Sequence, residues 1–309
     1  MPTIKLPIDE TLLSKQLGRS IKSPILVAHL NELDINAKSF LSFFKPFFSR
    51  LSWDPYDARR LQVEYLLERF PADQAVLRSR FKDYFVGQRD KRSYRKWIGQ
   101  LSEEDRAAFD AIRPWRRRAV AYFEVTEYKK SVSIQRKPIP PFVQDVDPSD
   151  FRSWPRLFEE APDKYMNDQR FGQLLAKVFR LVQQVREGVS RLRMTAHFMS
   201  VQATTQRAGD NSPEGAHEDG ADYIVSALVI NRKNLEGGES QVIEKRPDGK
   251  KEVILRHILQ EGEFIFQADS RDEIVYGTDL WHHVTPFYVA DVNKGEAWRD
   301  IIGFDINVA

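Results

Sequence analysis

Apolar residues in the first third of the chain recur every three or four positions, a spacing that predicts helices. In the segments 57–70 and 75–87 the large apolar side chains fall on one helical face. Ser102 can cap a third helix, because acidic residues follow it in the first turn and Pro114 lies just past the end. We therefore expect residues 1–112 to form a mainly helical segment.

From residue 119 onward, apolar and polar residues alternate instead. The segment 119–126 is typical of a strand, and 168–187 is the one strong helical pattern that remains, with Gly188 as its stop. Further short strands are predicted at 191–203, 223–230, 240–245, 252–259, 263–267, 281–288 and 298–308. Many short strands separated by turns indicate a sandwich or barrel. We expect an α+β protein, with the helical segment 1–112 packed on a jelly-roll domain over 113–309.

Composition narrows the class of protein. The chain has 309 residues, 41% hydrophobic and 30% charged residues, no cysteine and a net charge of +2. The absence of cysteine excludes disulfide scaffolds, thiolate metal sites and cysteine nucleophiles, and the apolar fraction is too high for a disordered protein. The balanced charge argues against a nucleic-acid partner. Because no run of eighteen apolar residues and no secretory signal pattern is present, we expect no membrane segment and a cytoplasmic location.

Histidine and aspartate provide the candidate chemistry. His217 and Asp219 stand two positions apart in PEGAHEDG, so an extended backbone would place both side chains on one face. His282 and His283 follow in WHHVTPF. Two histidines and one carboxylate can hold Fe(II) on one face and leave three positions open, as in non-haem oxygenases. A His-x-Asp pair also arises by chance, in which case Asp219 is a turn residue and His282 an ordinary strand residue.

An arginine in the last predicted strand adds a second feature. Arg299 lies in WRDIIGFDI, where an inward-pointing guanidinium would need an anionic partner, because an unpaired internal charge is costly. Its planar fork matches a carboxylate. The alternative is an ion pair with Asp300, Asp305 or a surface acid, although Asp300 should face the opposite side of the strand.

Taken together and in this order, these motifs resemble a known family. The stretch PEGAHEDG, then Asn231 with the downstream GGES of 237–240, then HHVTPF and WRDIIGFDI, is similar to the 2-oxoglutarate/Fe(II) dioxygenases related to bacterial L-isoleucine hydroxylase. The resemblance extends over residues 110–309. It implies a double-stranded β-helix, which is a cupin-like jelly roll, and the use of Fe(II), 2-oxoglutarate and O2. It also implies roles for four residues: His217, Asp219 and His282 as iron ligands, and Arg299 as the 2-oxoglutarate anchor.

The resemblance implies oxidation of an unactivated C–H bond, by hydroxylation, desaturation or cyclisation, with release of succinate and CO2. The implied substrate is a free aliphatic L-amino acid, and the implied setting is specialised metabolism. One departure is Ile301, which stands where many relatives carry a serine that binds the cosubstrate. Candidates for that missing hydroxyl are Tyr223, Ser226 and Thr285. Candidates for the substrate carboxylate are Arg116, Arg117, Arg118, Arg191 and Arg193, and the candidate for its ammonium group is Glu214.

Two other classes of protein fit parts of the pattern. One is a cupin-like metalloenzyme that does not use 2-oxoglutarate, for which Arg299 would have no stated role. The other is a non-catalytic jelly-roll binding protein with residues 1–112 as its partner surface, although an intact triad argues against it. The sequence does not fix the oligomeric state.

Overall fold

The computed structural model describes residues 23–129, 131–138, 140–143, 153–246, 248–270, 276–277 and 279–309. Sequence-based expectations for the N-terminal segment 1–22, and for Pro247 in the predicted turn between two strands, lie outside the described residues.

The described α-helices are α1 (Ala37–Phe48), α2 (Pro55–Arg69), α3 (Gln74–Ser79), α4 (Phe81–Phe85), α5 (Arg95–Ile98), α6 (Glu103–Ala111), α7 (Asp163–Met166) and α8 (Gln169–Val185). The described strands are β1 (Ile25–His29), β2 (Arg116–Tyr128), β3 (Ser131–Lys137), β4 (Arg191–Ala203), β5 (Tyr223–Lys233), β6 (Leu235–Gly237), β7 (Ser240–Lys245), β8 (Lys251–His257), β9 (Glu263–Ala268), β10 (Asp279–Val284), β11 (Phe287–Val289) and β12 (Ala297–Val308). Within the described residues, no helix combines the length and apolar character that crossing a bilayer would require.

Backbone contacts divide the chain into two compact units, and each unit combines segments that are separate in sequence. The larger unit comprises 1–51, 118–139 and 159–309, and the smaller unit comprises 52–117 and 140–158. The division at residue 112 that the sequence indicated stays a prediction about domain organisation.

Antiparallel sheets form the frame of the larger unit. One sheet has seven strands in the order β1-β9-β5-β12-β4-β2-β3, a second has the order β10-β7-β8, and β11 pairs with β6. The first two sheets share an apolar core, formed by Ile25, Ala227, Val229, Val242, Ile254, Leu259, Ile265, Leu280 and Ile301. Two antiparallel sheets joined in this way are consistent with the expected jelly roll.

Helix α8 covers the other face of the large sheet. Asp168 caps it by accepting the N–H of Arg170, and the helix is followed by Gly188 at φ 77°. The apolar side chains of α8 are spaced three and four residues apart, so they lie on one face of the helix. This face packs on the sheet and is buried. Phe171 lies at the centre of this layer and contacts Phe123, Phe198 and Phe304 of the sheet.

The smaller unit has its own helical core. Asp54 caps α2 by accepting the N–H of Tyr56, and Pro55 occupies the first turn, where its missing N–H costs nothing. The core side chains are Val63, Leu66, Leu67, Leu77, Tyr84, Tyr94, Trp97, Ile98 and Phe109. The predicted cap at Ser102 is confirmed, since its side chain accepts the N–H of Asp105.

Two local expectations were wrong, and one strand was not anticipated. Residues 25–29 form an edge strand of the large sheet, paired with β9. A short apolar run has no periodicity that separates strand from helix, so only the pairing partner decides. The helix expected over 75–87 is two short helices separated at Arg80. The strand expected over 281–288 is interrupted at Pro286, because proline cannot donate to the ladder.

Candidate metal and cosubstrate site

His217 and His282 are brought together by a short piece of backbone pairing. The N–H of His217 donates to the carbonyl of His282 at 3.0 Å, and the N–H of His282 donates back at 2.9 Å. His282 lies on β10, whereas His217 lies in the extended segment that leads into β5. The alternation of side chains along that segment brings Asp219 to the same side as His217, as the sequence predicted.

The three side chains converge on a common point. Asp219 Oδ1 lies 3.5 Å from His217 Nε2, and Asp219 Oδ2 lies 3.4 Å from His282 Nε2. One ligand atom from each residue falls within 4.8 Å of the others. Metal–ligand bonds of about 2.1 Å at right angles separate neighbouring ligands by about 3 Å, so only a small contraction would close this set around an ion.

Hydrogen bonds set the orientation of His217. Its Nδ1 lies 2.8 Å from the carbonyl of Gly215, so Nδ1 carries the proton that it donates there. This leaves Nε2 to face Asp219 and, at 3.1 Å, the carboxylate of Glu214. A partner that fixes the far nitrogen of a histidine is the usual arrangement for a metal ligand.

The three groups shift the pKa values of one another. Burial lowers the pKa of His217, but the hydrogen bond and charge of Asp219 and the charge of Glu214 outweigh it and raise that pKa to about 9. Burial and the neighbouring His217 lower the pKa of His282 to about 4. Burial raises the pKa of Asp219, but the charges of His282, His217 and His197 bring it well below its ordinary value. The two imidazoles therefore favour the charged form of the Asp219 carboxylate.

A buried carboxylate that the sequence did not single out holds the Asp219 loop. Asp269 is completely buried and accepts the N–H groups of Asp219, at 3.1 and 3.2 Å, and of Ala221, at 2.9 Å. Burial and the charge of Asp219 raise the pKa of Asp269 to about 8. An acidic residue at the end of the apolar strand β9 was the available sequence signal.

The choice between the two adjacent histidines agrees with the strand geometry. His282 is 7% exposed and faces Asp219. His283 points to the other face of β10, where its Nδ1 lies 3.5 Å from Gln241 Oε1.

Arg299 is completely buried, with little to neutralise its charge. Its Nη1 donates to Asn211 Oδ1 at 3.1 Å, whereas Nε and Nη2 have no hydrogen-bond partner among the residues that the structure describes. Burial lowers its pKa to about 9, and the charge of nearby Arg232 adds to the effect. A buried guanidinium with unsatisfied donors is unfavourable unless an anion enters. This arrangement therefore fits a carboxylate ligand.

Other unpartnered donors lie on the elements around Arg299. Asn211 Nδ2 and Ser240 Oγ are buried and, within the described part of the chain, have no hydrogen-bond partner. Ser240 is two residues from Gly238, where a Cβ would lie 3.6 Å from Arg299 Cδ. Of the hydroxyls expected from the sequence, Tyr223 pairs with Tyr276, whereas Thr285 Oγ1 accepts the N–H of Glu239 and keeps its own O–H to donate.

The candidate substrate-binding residues separate into different environments. Arg116 pairs with Asp57 at 2.5 Å and Arg117 lies over the ring of Trp53, both within the smaller unit. Arg191 pairs with Glu124 at 2.5 Å, and Arg193 is exposed. Only Arg118 and Glu214, of this set, contact histidines of the larger unit, namely His197 and His217 among the described residues.

Comparison with protein-family models agrees with this geometry. The model described as 2OG-Fe dioxygenase matches residues 102–305, more than half of the chain. The fold and site thus define an oxygenase that uses iron and an oxoacid. The chain belongs to the 2OG-Fe dioxygenase family, and it is a 2-oxoglutarate-dependent dioxygenase that uses Fe(II), 2-oxoglutarate and O2. A jelly roll that does not use 2-oxoglutarate, or that has no catalytic role, is not supported.

A solved structure shows a similar fold at low sequence identity, and two others match more loosely. A BsmA homologue from Methylobium petroleophilum has 16% identity and a TM-score of 0.60, and the match covers 100% of this chain and 97% of that one. IDO from Bacillus thuringiensis has 16% identity and a TM-score of 0.47, with 69% and 91% covered. The Fe(II)/α-ketoglutarate-dependent dioxygenase TqaL has 14% identity and a TM-score of 0.43, with 81% and 89% covered. Among curated proteins no significant match was found.

Proposed function

We propose that His217, Asp219 and His282 hold the Fe(II) of this dioxygenase, that Arg299 binds the distal carboxylate of 2-oxoglutarate, and that the substrate is a free aliphatic L-amino acid. The observation that supports the first two roles is a convergent triad together with a buried guanidinium whose Nε and Nη2 lack partners. The bound metal, with 2-oxoglutarate and O2, supplies the oxidant that removes hydrogen from a C–H bond, with succinate and CO2 as coproducts.

The protein's own contribution is placement. With a metal bound, His217 and His282 would each present Nε2 as a neutral donor atom, and the carbonyl of Gly215 keeps the remaining His217 proton on Nδ1. Asp269 holds the backbone of Asp219 in position through two N–H groups. At Arg299 a carboxylate would satisfy the Nε and Nη2 donors, and the nearby amide of Asn211 would add a third donor.

The amino-acid substrate is supported by Glu214. Its carboxylate lies 3.1 Å from His217 Nε2 and its side chain is 22% exposed, so it stands beside the metal position and in reach of solvent. Once His217 binds a metal, this carboxylate needs another cationic partner. The ammonium group of an amino acid provides one. The resemblance of the ordered motifs to those of isoleucine hydroxylases supports the same substrate class.

The test is a substrate titration under anaerobic conditions. We would load the enzyme with Fe(II) and 2-oxoglutarate and follow the visible charge-transfer band while adding L-isoleucine, L-leucine or L-valine. We expect at least one of them to shift the band and, in air, to stimulate succinate formation. The same titrations with Glu214→Gln should show weaker binding by about tenfold, since a charge-assisted hydrogen bond contributes about 1.5–3 kcal/mol.

Glu236→Gln is the matched control, because Glu236 is exposed on β6. If no amino acid shifts the band while the band itself forms normally, the substrate class is wrong and the oxygenase assignment stands. Loss of the band in His217→Ala but not in His283→Ala would support the metal ligands.

A further inference from the structure

A chain of three polar side chains crosses the inner face of the large sheet. Asp305 Oδ2 on β12 lies 2.9 Å from His197 Nε2 on β4, and His197 Nδ1 lies 3.1 Å from Arg118 Nη2 on β2. These strands are neighbours in the order β12-β4-β2. Because Nε2 donates to the carboxylate and Nδ1 accepts from the guanidinium, a neutral imidazole satisfies both contacts, and the three residues form one directed chain.

This chain lies on the face of the sheet that carries the active-site arginine. Arg299 and Asp305 are separated by an even number of residues on β12, whose register with β4 is unbroken, so they share a face. The opposite face carries the apolar layer under α8, which includes Phe198 and Phe304. The three polar side chains therefore lie on the face of the large sheet that is turned towards the second sheet, and not in the apolar layer under α8.

A backbone hydrogen bond connects the three polar side chains with the metal loop. The backbone of Asp222, three residues after Asp219, donates to the carbonyl of Ile306, next to Asp305. The Asp305 end of the chain is thus near the metal loop, and Arg118 lies two strands further along the same face.

We propose that Arg118 binds the carboxylate of the primary substrate, and that His197 and Asp305 are positioning residues that fix the direction of its guanidinium. The hydrogen bonds from Asp305 through His197 fix one side of the Arg118 guanidinium on the sheet face that also carries Arg299. Arg118 is half-buried, and its planar fork suits a carboxylate. This inference rests on the proposed amino-acid substrate and gives Glu214 the ammonium end.

The test measures binding separately from turnover. Isothermal titration calorimetry would use the Zn(II)-substituted enzyme with 2-oxoglutarate, which does not turn over, and L-leucine, L-leucinamide and 4-methylpentanoate as probes. We expect L-leucine to bind the wild-type enzyme at least tenfold more tightly than L-leucinamide. Arg118→Gln should weaken L-leucine about 30-fold and remove the preference for the acid over the amide, with unchanged affinity for Zn(II) and 2-oxoglutarate.

Positioning by His197 and Asp305 has its own signature. Asp305→Asn and His197→Gln should raise the KM for L-leucine, leave kcat within about twofold, and leave the dissociation constant for L-leucinamide unchanged. A purely structural role would instead lower the Zn(II) affinity or the melting temperature of the variant, and would weaken the binding of all three probes alike. Arg118→Lys should restore part of the preference for the acid. Arg193→Gln is the matched control, since Arg193 is exposed on the same sheet.

Each outcome separates the two proposals. Tight L-leucine binding that Arg118→Gln does not weaken overturns the carboxylate role and leaves the amino-acid substrate intact. Binding of 4-methylpentanoate but not L-leucine, lost in Arg118→Gln, supports the carboxylate role and overturns the amino-acid substrate. If none of L-leucine, L-isoleucine, L-valine and 4-methylpentanoate binds the wild-type enzyme, both are overturned.

Discussion

His217 and His282, which are far apart in sequence, exchange two backbone hydrogen bonds of 3.0 and 2.9 Å. The pairing places the centres of their imidazole rings 4.3 Å apart. Two of the three proposed ligands are therefore held by the protein rather than by the metal. Because folding already orders these two side chains, metal binding does not carry the entropy cost of ordering them.

Removing either imidazole should greatly weaken metal binding. His217→Ala and His282→Ala are each expected to lower Zn(II) affinity by at least 100-fold, because two protein ligands hold a divalent ion poorly. Backbone pairing does not need the side chains, so melting temperatures should change little. Calorimetric titration measures this, with His283→Ala as the control, and equal losses in all three variants would contradict the assignment.

Metal binding should release about one proton at pH 7.5. The pKa of His217 is about 9 in the metal-free protein, so its imidazole is protonated below that pH and must lose a proton to bind. The affinity should rise about tenfold per pH unit from 6.5 to 9 and level off above 9. An ordinary histidine would level off near 6.5 instead. Titration in buffers of different ionisation enthalpy counts the protons.

Arg299→Leu should weaken 2-oxoglutarate binding and increase the stability of the 2-oxoglutarate-free protein. The buried guanidinium has unsatisfied Nε and Nη2 donors, so its replacement should stabilise the 2-oxoglutarate-free protein by about 1–4 kcal/mol. The same variant should bind 2-oxoglutarate about 100-fold more weakly and Zn(II) normally. Thermal melting with and without 2-oxoglutarate checks both effects, since the ligand should stabilise only the wild-type protein.

Asp269 should matter for the metal although it does not face the ion. Asp269→Ala leaves the N–H groups of Asp219 and Ala221 without their acceptor, which should cost about 1–3 kcal/mol of stability. Displacement of Asp219 should lower metal affinity about 10- to 100-fold. Asp269→Asn keeps one carbonyl oxygen as an acceptor, so its stability and metal affinity should lie between those of the wild-type protein and the alanine variant. Metal affinity that is unchanged in the alanine variant would limit Asp269 to a folding role.

Phe171 should be among the most costly core positions. It is completely buried and its ring contacts Phe44, Phe123, Phe198 and Phe304. Phe171→Ala should destabilise the fold by about 3–5 kcal/mol in denaturant titration. Tyr288→Ala, at a side chain that is 54% exposed, should change stability by less than about 0.5 kcal/mol.

Local patterns determined most of the secondary structure. Capping residues and apolar periodicity predicted α6 and α8, and alternation predicted β4, β5, β7 and β12 within a few residues. The His-x-Asp spacing, together with the resemblance to a known family, selected the three residues that the structure brings together. These features depend on neighbours in sequence, which is why sequence carries them.

Tertiary structure alone decided the remaining features. The edge strand β1 exists because β9 offers a partner, and no periodicity over five residues could reveal that. Asp269 and Asn211 were missed because their roles depend on which backbone N–H or guanidinium lies beside them after folding. The His197 contacts with Asp305 and Arg118 join three strands that are distant in sequence. Sequence determined which groups could carry the chemistry, and packing determined which of them meet, because distances across a sheet are set by strand order.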